Sequence, residues 1–394
     1  MHTLSRSNGA TQAALLIGIL LIAANLRGPI TAMPPLLAQI QADFGLGTTA
    51  AGALTTLPLL AFALLSPVSA LLAREYGLER TLFGALVTIA LGIALRSAGA
   101  VWCLYVGTTL IGMGIAAGNV LLPSLVKRDF PHNIAALTGA YALAMGIAAA
   151  LGSAVVVPLA HSLGWNGALA TLLVLPLAAL AVWTTQLGRH TAPPPGTPSP
   201  PHGGAVWHSA LAWQVTLFLG LNSTIYYIAI GWLPTILIEA GMSPAKAGSL
   251  HGVLQLATAV PGLFLAVLLR GRRDQRLPAA AVAGFSVVAL LGLMVAPQLA
   301  LVWSILFGLG TGAGIILGLT FIGLRTGDAR QAATLSGMSQ LIGYLLAAAG
   351  PMAMGALHDA LGGWRVPLGV CVVLALIAVF MGLLAGRDRQ IGRA

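Results

Sequence analysis

His190-Thr-Ala-Pro-Pro-Pro-Gly-Thr-Pro-Ser-Pro-Pro-His-Gly-Gly-Ala205 contains almost nothing that could cross a bilayer. It is the one long interruption in a chain otherwise made of apolar runs. Proline fixes φ and lacks an N–H, and glycine adds backbone freedom, so the stretch reads as an extended surface linker. It separates two portions of similar length, expected as residues 1–188 and 207–394 with the linker at 189–206.

The portions on either side are too apolar for a water-soluble protein. Of 394 residues, 58% are hydrophobic, only 7% are charged, and the mean hydropathy is +0.93. A soluble domain carries roughly 25% charged residues. This disfavours a soluble enzyme, a disulfide scaffold and a nucleic-acid-binding module together. The net charge of +10 then belongs to basic loops at a membrane surface. Cys103 and Cys371 both lie inside apolar runs and read as packed thiols. The first apolar run is longer than a signal-peptide core and contains Arg27 and three prolines, so it is expected as a retained first helix.

A spanning helix takes roughly 20 apolar residues. Twelve such segments can be marked: 12–40, 48–73, 80–98, 101–126, 134–160, 166–187, 208–238, 245–269, 277–296, 299–324, 331–357 and 365–386. The fold class is therefore an all-α integral membrane protein of twelve transmembrane helices. The two portions also echo each other. Leu-Thr-Gly at 137–139 answers Leu-Ser-Gly at 335–337, Gly152 answers Gly350, and Gly164 answers Gly362. Gly112, Gly114 and Gly118 answer Gly312, Gly314 and Gly318. Shared order at near-constant offset points to a duplicated six-helix unit in parallel repeat.

Loop charges set the orientation. With the N-terminus inside, the cytoplasmic side collects fifteen basic residues: Arg6, Arg74, Arg80, Lys127, Arg128, Arg189, Arg270, Arg272, Arg273, Arg276, Arg325, Arg330, Arg387, Arg389 and Arg393. The outer side holds Arg96, Lys246 and Arg365. Both termini are then cytoplasmic.

Of the nineteen basic residues one is left over, Arg27. It lies roughly 22 Å into the first segment, at 1.5 Å per residue. The nine acidic residues all fall near segment ends or in loops, so no carboxylate at membrane depth is available to it. A charge at that depth costs at least about 2.5–3.5 kcal/mol and marks a functional site by default. The structural alternative is an arginine held by carbonyls, or one that reaches toward the surface. Its surroundings, Asn25-Leu-Arg-Gly-Pro-Ile-Thr31, favour a wet or ligand-facing helix. Pro29 has no N–H, so the Asn25 carbonyl loses its usual partner, and Thr31 lies one turn from Arg27.

Other polar residues repeat at helical spacing: Asn222 with Tyr226, Ser223 with Tyr227, His251 with Gln255 and Thr258, and Ser336 with Gln340 and Tyr344. Asn119 stands alone in the fourth segment. Such groups can line a solute site or join helices by hydrogen bonds. The expected substrate-binding set is Arg27, Asn25, Thr31, Asn119, Asn222, Tyr226, Tyr227, Gln255, Gln340 and Tyr344. For proton coupling the candidates are His251 and Glu239, with solvation at a helix boundary as the structural alternative. No metal cluster, catalytic constellation or cofactor motif is legible, so neither an enzyme nor a cofactor is expected.

These residues resemble the cyanate permease and 2-nitroimidazole exporter branch of the major facilitator superfamily. The likeness rests on Asn25-Leu-Arg27 with Pro29-Ile-Thr31, on Gly118 to Pro131 (GNVLLPSLVKRDFP), on Tyr226-Tyr227 with Trp232 to Gly241 (WLPTILIEAG), and on Arg272 to Arg276 (RRDQR). The superfamily's loop signature between helices two and three is degraded here to Arg74, Glu75, Gly77 and Arg80, which the resemblance marks as a gating loop. The antiporter-type Gly-Pro of helix five is missing, although Gly350-Pro351 stands in the eleventh segment.

The resemblance implies a transporter in the bacterial inner membrane, moving a small anionic or polar solute between two rocking six-helix bundles. A cyanate-like anion, a small carboxylate or a nitroheterocycle would suit it. The expected partners are that solute and the lipid bilayer, with a proton as a candidate beside uniport or exchange, with no nucleic acid, and the chain is expected as a monomer. The rival class is a membrane receptor or sensor that keeps the fold without flux.

Overall fold

The computed structural model describes residues 9–130, 134–188, 204–265, 269, 274–327 and 329–392. Most of the linker lies outside the described residues. The described residues form helices and turns with no strand. In order the helices are α1 (Gly9–Asn25), α2 (Gly28–Thr31), α3 (Leu37–Phe44), α4 (Thr48–Tyr76), α5 (Leu78–Arg96), α6 (Val101–Asp129), α7 (Ile134–Ala170), α8 (Val174–Trp183), α9 (Gly204–Trp207) and α10 (Ala210–Glu239). They continue with α11 (Pro244–Ala259), α12 (Arg276–Val295), α13 (Ala300–Leu324), α14 (Ala329–Leu361) and α15 (Arg365–Ala385).

Ten stretches among the described residues are long and apolar enough to cross a membrane. One of them, Gly139–Gln186, holds the fifth and sixth expected segments. Gly164 divides it with φ of 71°, a left-handed turn that glycine takes without strain. The eighth segment is α11 followed by a 3-10 turn at Val260–Leu263. The twelve expected segments therefore all find helices.

The repeat seen in the sequence recurs as packing. Gly112 of α6 lies against Pro58 of α4, and Gly312 of α13 lies against Thr258 of α11. Gly118 faces Leu26, and Gly318 faces Leu219. Each pair in the second half sits about 200 residues after its counterpart in the first.

Two long contacts join the halves: α4 packs along α14, and α7 along α11. Both are tight toward the face that carries the turns at 45–47 and 362–363, opposite the chain ends. A Cβ on Gly355 would sit 2.8 Å from the Thr48 carbonyl, so the two backbones meet only because a side chain is missing. Thr56 Oγ1 donates to the Ala348 carbonyl at 2.7 Å. At the end of this seam Asp359 accepts from both the backbone N–H and the hydroxyl of Thr49, each at 2.8 Å. The seam is closed on that face.

Two expectations need correction. Arg96, counted as an outer loop charge, is 1% exposed. Its Nη1 donates to the Pro29 carbonyl at 2.8 Å. Arg325, counted among the cytoplasmic loop charges, is also 1% exposed and caps the end of α15 by donating to the Ala385 and Gly386 carbonyls. A long side chain at a helix end can fold back onto free carbonyls, which a position-based charge count cannot register. Cys103 and Cys371 are buried and unbridged, as expected.

Candidate functional site

The first span is broken where the sequence suggests. α1 ends at Asn25, α2 begins at Gly28, and Arg27 between them has φ −128° and ψ −47°. The Leu26 and Arg27 amides bond three residues back, to Ala23 and Ala24, before Ile30 and Thr31 resume on the Arg27 carbonyl. Pro29 cannot continue the donor ladder, so the break is built into the sequence. It turns the Arg27 side chain across to the second half. There Nη1 donates to the Tyr226 hydroxyl of α10, and the guanidinium carbon lies 5.3 Å from that ring's centroid. This combines a charge-assisted hydrogen bond with a cation–π contact.

Arg27 and Tyr226 cap a cavity of about 160 Å³ between the halves. Met145, Gly146 and Ala149 of α7 face Gln255 and Thr258 of α11 and Gly312 of α13 across it. The lining on α7, α11 and α13 runs from the level of Arg27 toward the face carrying the chain ends. Among the described residues no carboxylate pairs with Arg27. Two larger grooves, about 490 and 380 Å³, lie at equivalent places in the two halves, between α4, α5 and α6 and around α11, α12 and α13. Neither contains any of the Arg27 cluster.

A chain of hydrogen bonds leads on from Tyr226. Its hydroxyl donates to Gln255 Oε1 at 2.8 Å. Gln255 Nε2 lies 3.4 Å from His251 Nε2, and His251 Nδ1 lies 2.9 Å from Ser153 Oγ on α7. Ser153 donates to the Thr31 carbonyl at 2.9 Å, beside the break where the chain began. Tyr226, Gln255, His251 and Ser153 are each at most 1% exposed. Sequence reading missed Ser153, a small polar residue beside Gly152 whose only signal is its depth in an apolar segment.

The remaining candidates divide. Tyr227 and Tyr344 are close enough to act on the charge of Arg27. Tyr227 packs edge-on against Tyr226 at 5.2 Å, and Tyr344 against Phe62 of α4 at 5.5 Å. Thr31 bonds to its own turn and to the Ala149 carbonyl, pinning α2 to α7. Asn222 donates to the Thr311 carbonyl, joining α10 to α13. Asn25 donates to the Leu21 carbonyl within its own helix, and its buried Oδ1 has no protein partner. Asn119 is half-buried and Gln340 exposed, and among the described residues neither bonds to the Arg27 cluster. Glu239 stands at the far end of α10 with His358, 3.2 Å away, remote from His251.

At the expected gating loop, Gly77 links α4 to α5 with φ of 88°. Glu75 and Arg80 are exposed, and the Arg74 side chain lies outside the described residues. The ion pair here belongs instead to buried Glu79, which meets Arg128 at 2.7 Å. Hydrogen bonds to Asp129 and then Glu79 outweigh burial and hold the Arg128 guanidinium above its ordinary pKa.

Residues 15–350 match the description of the Major Facilitator Superfamily. The chain belongs to this superfamily. It is 54% identical to a 2-nitroimidazole transporter of Escherichia coli (strain K12) over 98% of both chains. A cyanate transport protein of the same organism is 28% identical over 92% of this chain and 95% of its own. Among solved structures, a bacterial homologue of the human lysosomal transporter Spinster superimposes with a TM-score of 0.80 at 18% identity, covering 98% of this chain and 99% of the other. This superfamily member is thus a multi-pass membrane transporter, and the resemblance read from its motifs holds. Nothing among the relatives favours the receptor alternative.

Proposed function

We propose that the chain moves a small anionic or electron-rich solute by alternating access, with Arg27 as the group that binds it. One observation carries this reading. An arginine at a helix break, with no acidic partner among the described residues, faces a cavity between the halves and is held by a single phenol. A solute that replaces Tyr226 on Arg27 offsets the buried charge, and the tyrosine hydroxyl is then free to donate to it as well. The apolar walls suit a small flat molecule, in keeping with the 2-nitroimidazole and cyanate named for the two relatives.

The basic loops favour both termini in the cytoplasm of a bacterium, an orientation in which the cavity opens inward and the α4–α14 seam closes the outer face. Residues 1–188 and 207–394 are the two rocking units, and the loop at Arg74, Glu75, Gly77 and Arg80 bends where the first unit's helices part. A monomer suffices, because the cavity lies within one chain. His251 is the proton-binding candidate within the bundle. Glu239 is the second, on the outer face.

Proteoliposomes test the reading directly. Uptake of radiolabelled 2-nitroimidazole, cyanate and benzoate is compared between wild type and Arg27→Ala at equal membrane insertion. Removing a charge-assisted bond costs about 2–3 kcal/mol, so uptake at limiting substrate should fall roughly 30- to 150-fold. Uptake by the variant at the wild-type rate defeats the assignment.

A further inference from the structure

We propose that Gln255 is an amide switch linking occupancy of Arg27 by an anion to protonation of His251. The inference rests on the reading of Arg27 given above and adds the coupling partner.

The hydrogen bonds around His251 have a fixed direction. Ser153 donates to the Thr31 carbonyl, so its oxygen accepts from His251 Nδ1, which must carry a proton. Tyr226 accepts from Arg27 and donates to Gln255 Oε1. The amide therefore turns its NH2 toward His251 Nε2, which must be bare to accept. In the empty site the Gln255 amide finds an acceptor on the imidazole only if His251 is neutral.

An anion on Arg27 changes both ends of this chain. Tyr226 loses its donor and can turn its own hydroxyl to the anion. Half a turn of the Gln255 amide then lets Nε2 donate to the tyrosine oxygen and aims Oε1 at His251. That arrangement is satisfied only when a proton from the water-accessible cavity has joined His251 Nε2. No other bond forms or breaks. The backbone carbonyl of Ile230 also faces the imidazole and gives an imidazolium a further acceptor.

Charge runs the same way. Among the described residues Arg27 is the only charged side chain in the cluster. Around His251, α7 contributes Ser153, with Tyr141 and His161 about 18 and 12 Å away along that helix, and α10 contributes Tyr226 through Gln255. Within α11 the nearest charge is the exposed Lys246. The turn at Pro34–Leu36, the turn at Val260–Leu263 and α13 bring no titratable or charged side chain. A proton on His251 beside an unoccupied Arg27 places two cations in one buried cluster. An anion removes that repulsion, so anion and proton each favour the other's binding.

Calorimetry of the purified full chain with benzoate, cyanate and 2-nitroimidazole, in two buffers of different ionisation enthalpy, reads the linkage. Wild type should take up as much as one proton per ionised probe bound, and the affinity for benzoate should weaken by up to tenfold per pH unit as His251 titrates. His251→Gln should bind without uptake, and Gln255→Leu should flatten the pH slope. Binding without uptake in wild type, or unchanged uptake in His251→Gln, overturns the switch. If no probe binds, or if Arg27→Ala binds as wild type does, the Arg27 reading fails instead. Nitrogen NMR of labelled histidine then decides the switch alone. It requires a protonated Nδ1 and a bare Nε2 on His251 in the empty protein at pH 7.5, and a protonated Nε2 there overturns it.

Discussion

Arg27 and Arg96 both hold a guanidinium away from bulk water without a carboxylate partner among the described residues, yet the two regions treat it differently. Arg27 is half-buried, reaches across to the other half of the chain and looks into a cavity. Arg96 is 1% exposed, stays within its own half, and donates to the Pro29 carbonyl two residues past the position of Arg27 in the first span. One cation is presented to whatever enters the cavity. The other braces the broken helix that does the presenting. Depth in the membrane singles out an arginine, and what the side chain faces decides its work.

The largest effect expected from breaking this contrast is on ligand recognition. In a thermal-shift series with 2-nitroimidazole and benzoate, Arg27→Ala should lose the ligand-dependent rise in melting temperature while the unliganded protein melts close to wild type. Arg27→Lys keeps the charge but not the planar fork, so it should retain a weakened shift. An Arg27→Ala protein that melts far below wild type without ligand would move Arg27 to the bracing class.

Arg96→Met is the mirror experiment, with a smaller effect of a different kind. It leaves the Pro29 carbonyl without the bond recorded for it, a loss of about 1–3 kcal/mol for a buried acceptor. It also removes a buried charge whose Nε and Nη2 have no protein partner, which offsets part of that loss. The unliganded melting temperature should drop, and the ligand-dependent shift should persist. Loss of the shift at an unchanged melting temperature would show that Arg96 serves the ligand.

The contrast also marks what the sequence could say. The twelve apolar segments, the break at Pro29 and the isolation of Arg27 are local facts, carried by hydropathy and by one missing N–H. The partners of Arg27 are only half local. Helical spacing put Gln255 and His251 on one face, but nothing in one span says that this face meets Ser153 of another. Asn222 shows the converse, since an amide at helical spacing suits a cavity or a neighbouring helix equally well, and here it bonds to α13. Arg96 was misplaced because a residue at the end of an apolar run counts as loop unless its side chain is seen to fold back.

The smallest expected effect lies on the closed face, where one carboxylate holds the halves together. Asp359 of α14 accepts from the Thr49 amide and hydroxyl in the first turn of α4, so a charge in the second half caps a helix in the first. Opening this face must break both bonds. Asp359→Asn keeps the shape, removes the charge and leaves a neutral acceptor. The site is partly exposed, so the loss should be about 0.5–1.5 kcal/mol, a two- to twelvefold shift toward the form open on this face. Cysteines at Gly52 and Met352, whose backbones meet across the seam, report the change as slower disulfide cross-linking in the Asp359→Asn background. Equal cross-linking rates would mean that the glycine-lined backbone contact alone keeps the face shut, and that the carboxylate only decorates it.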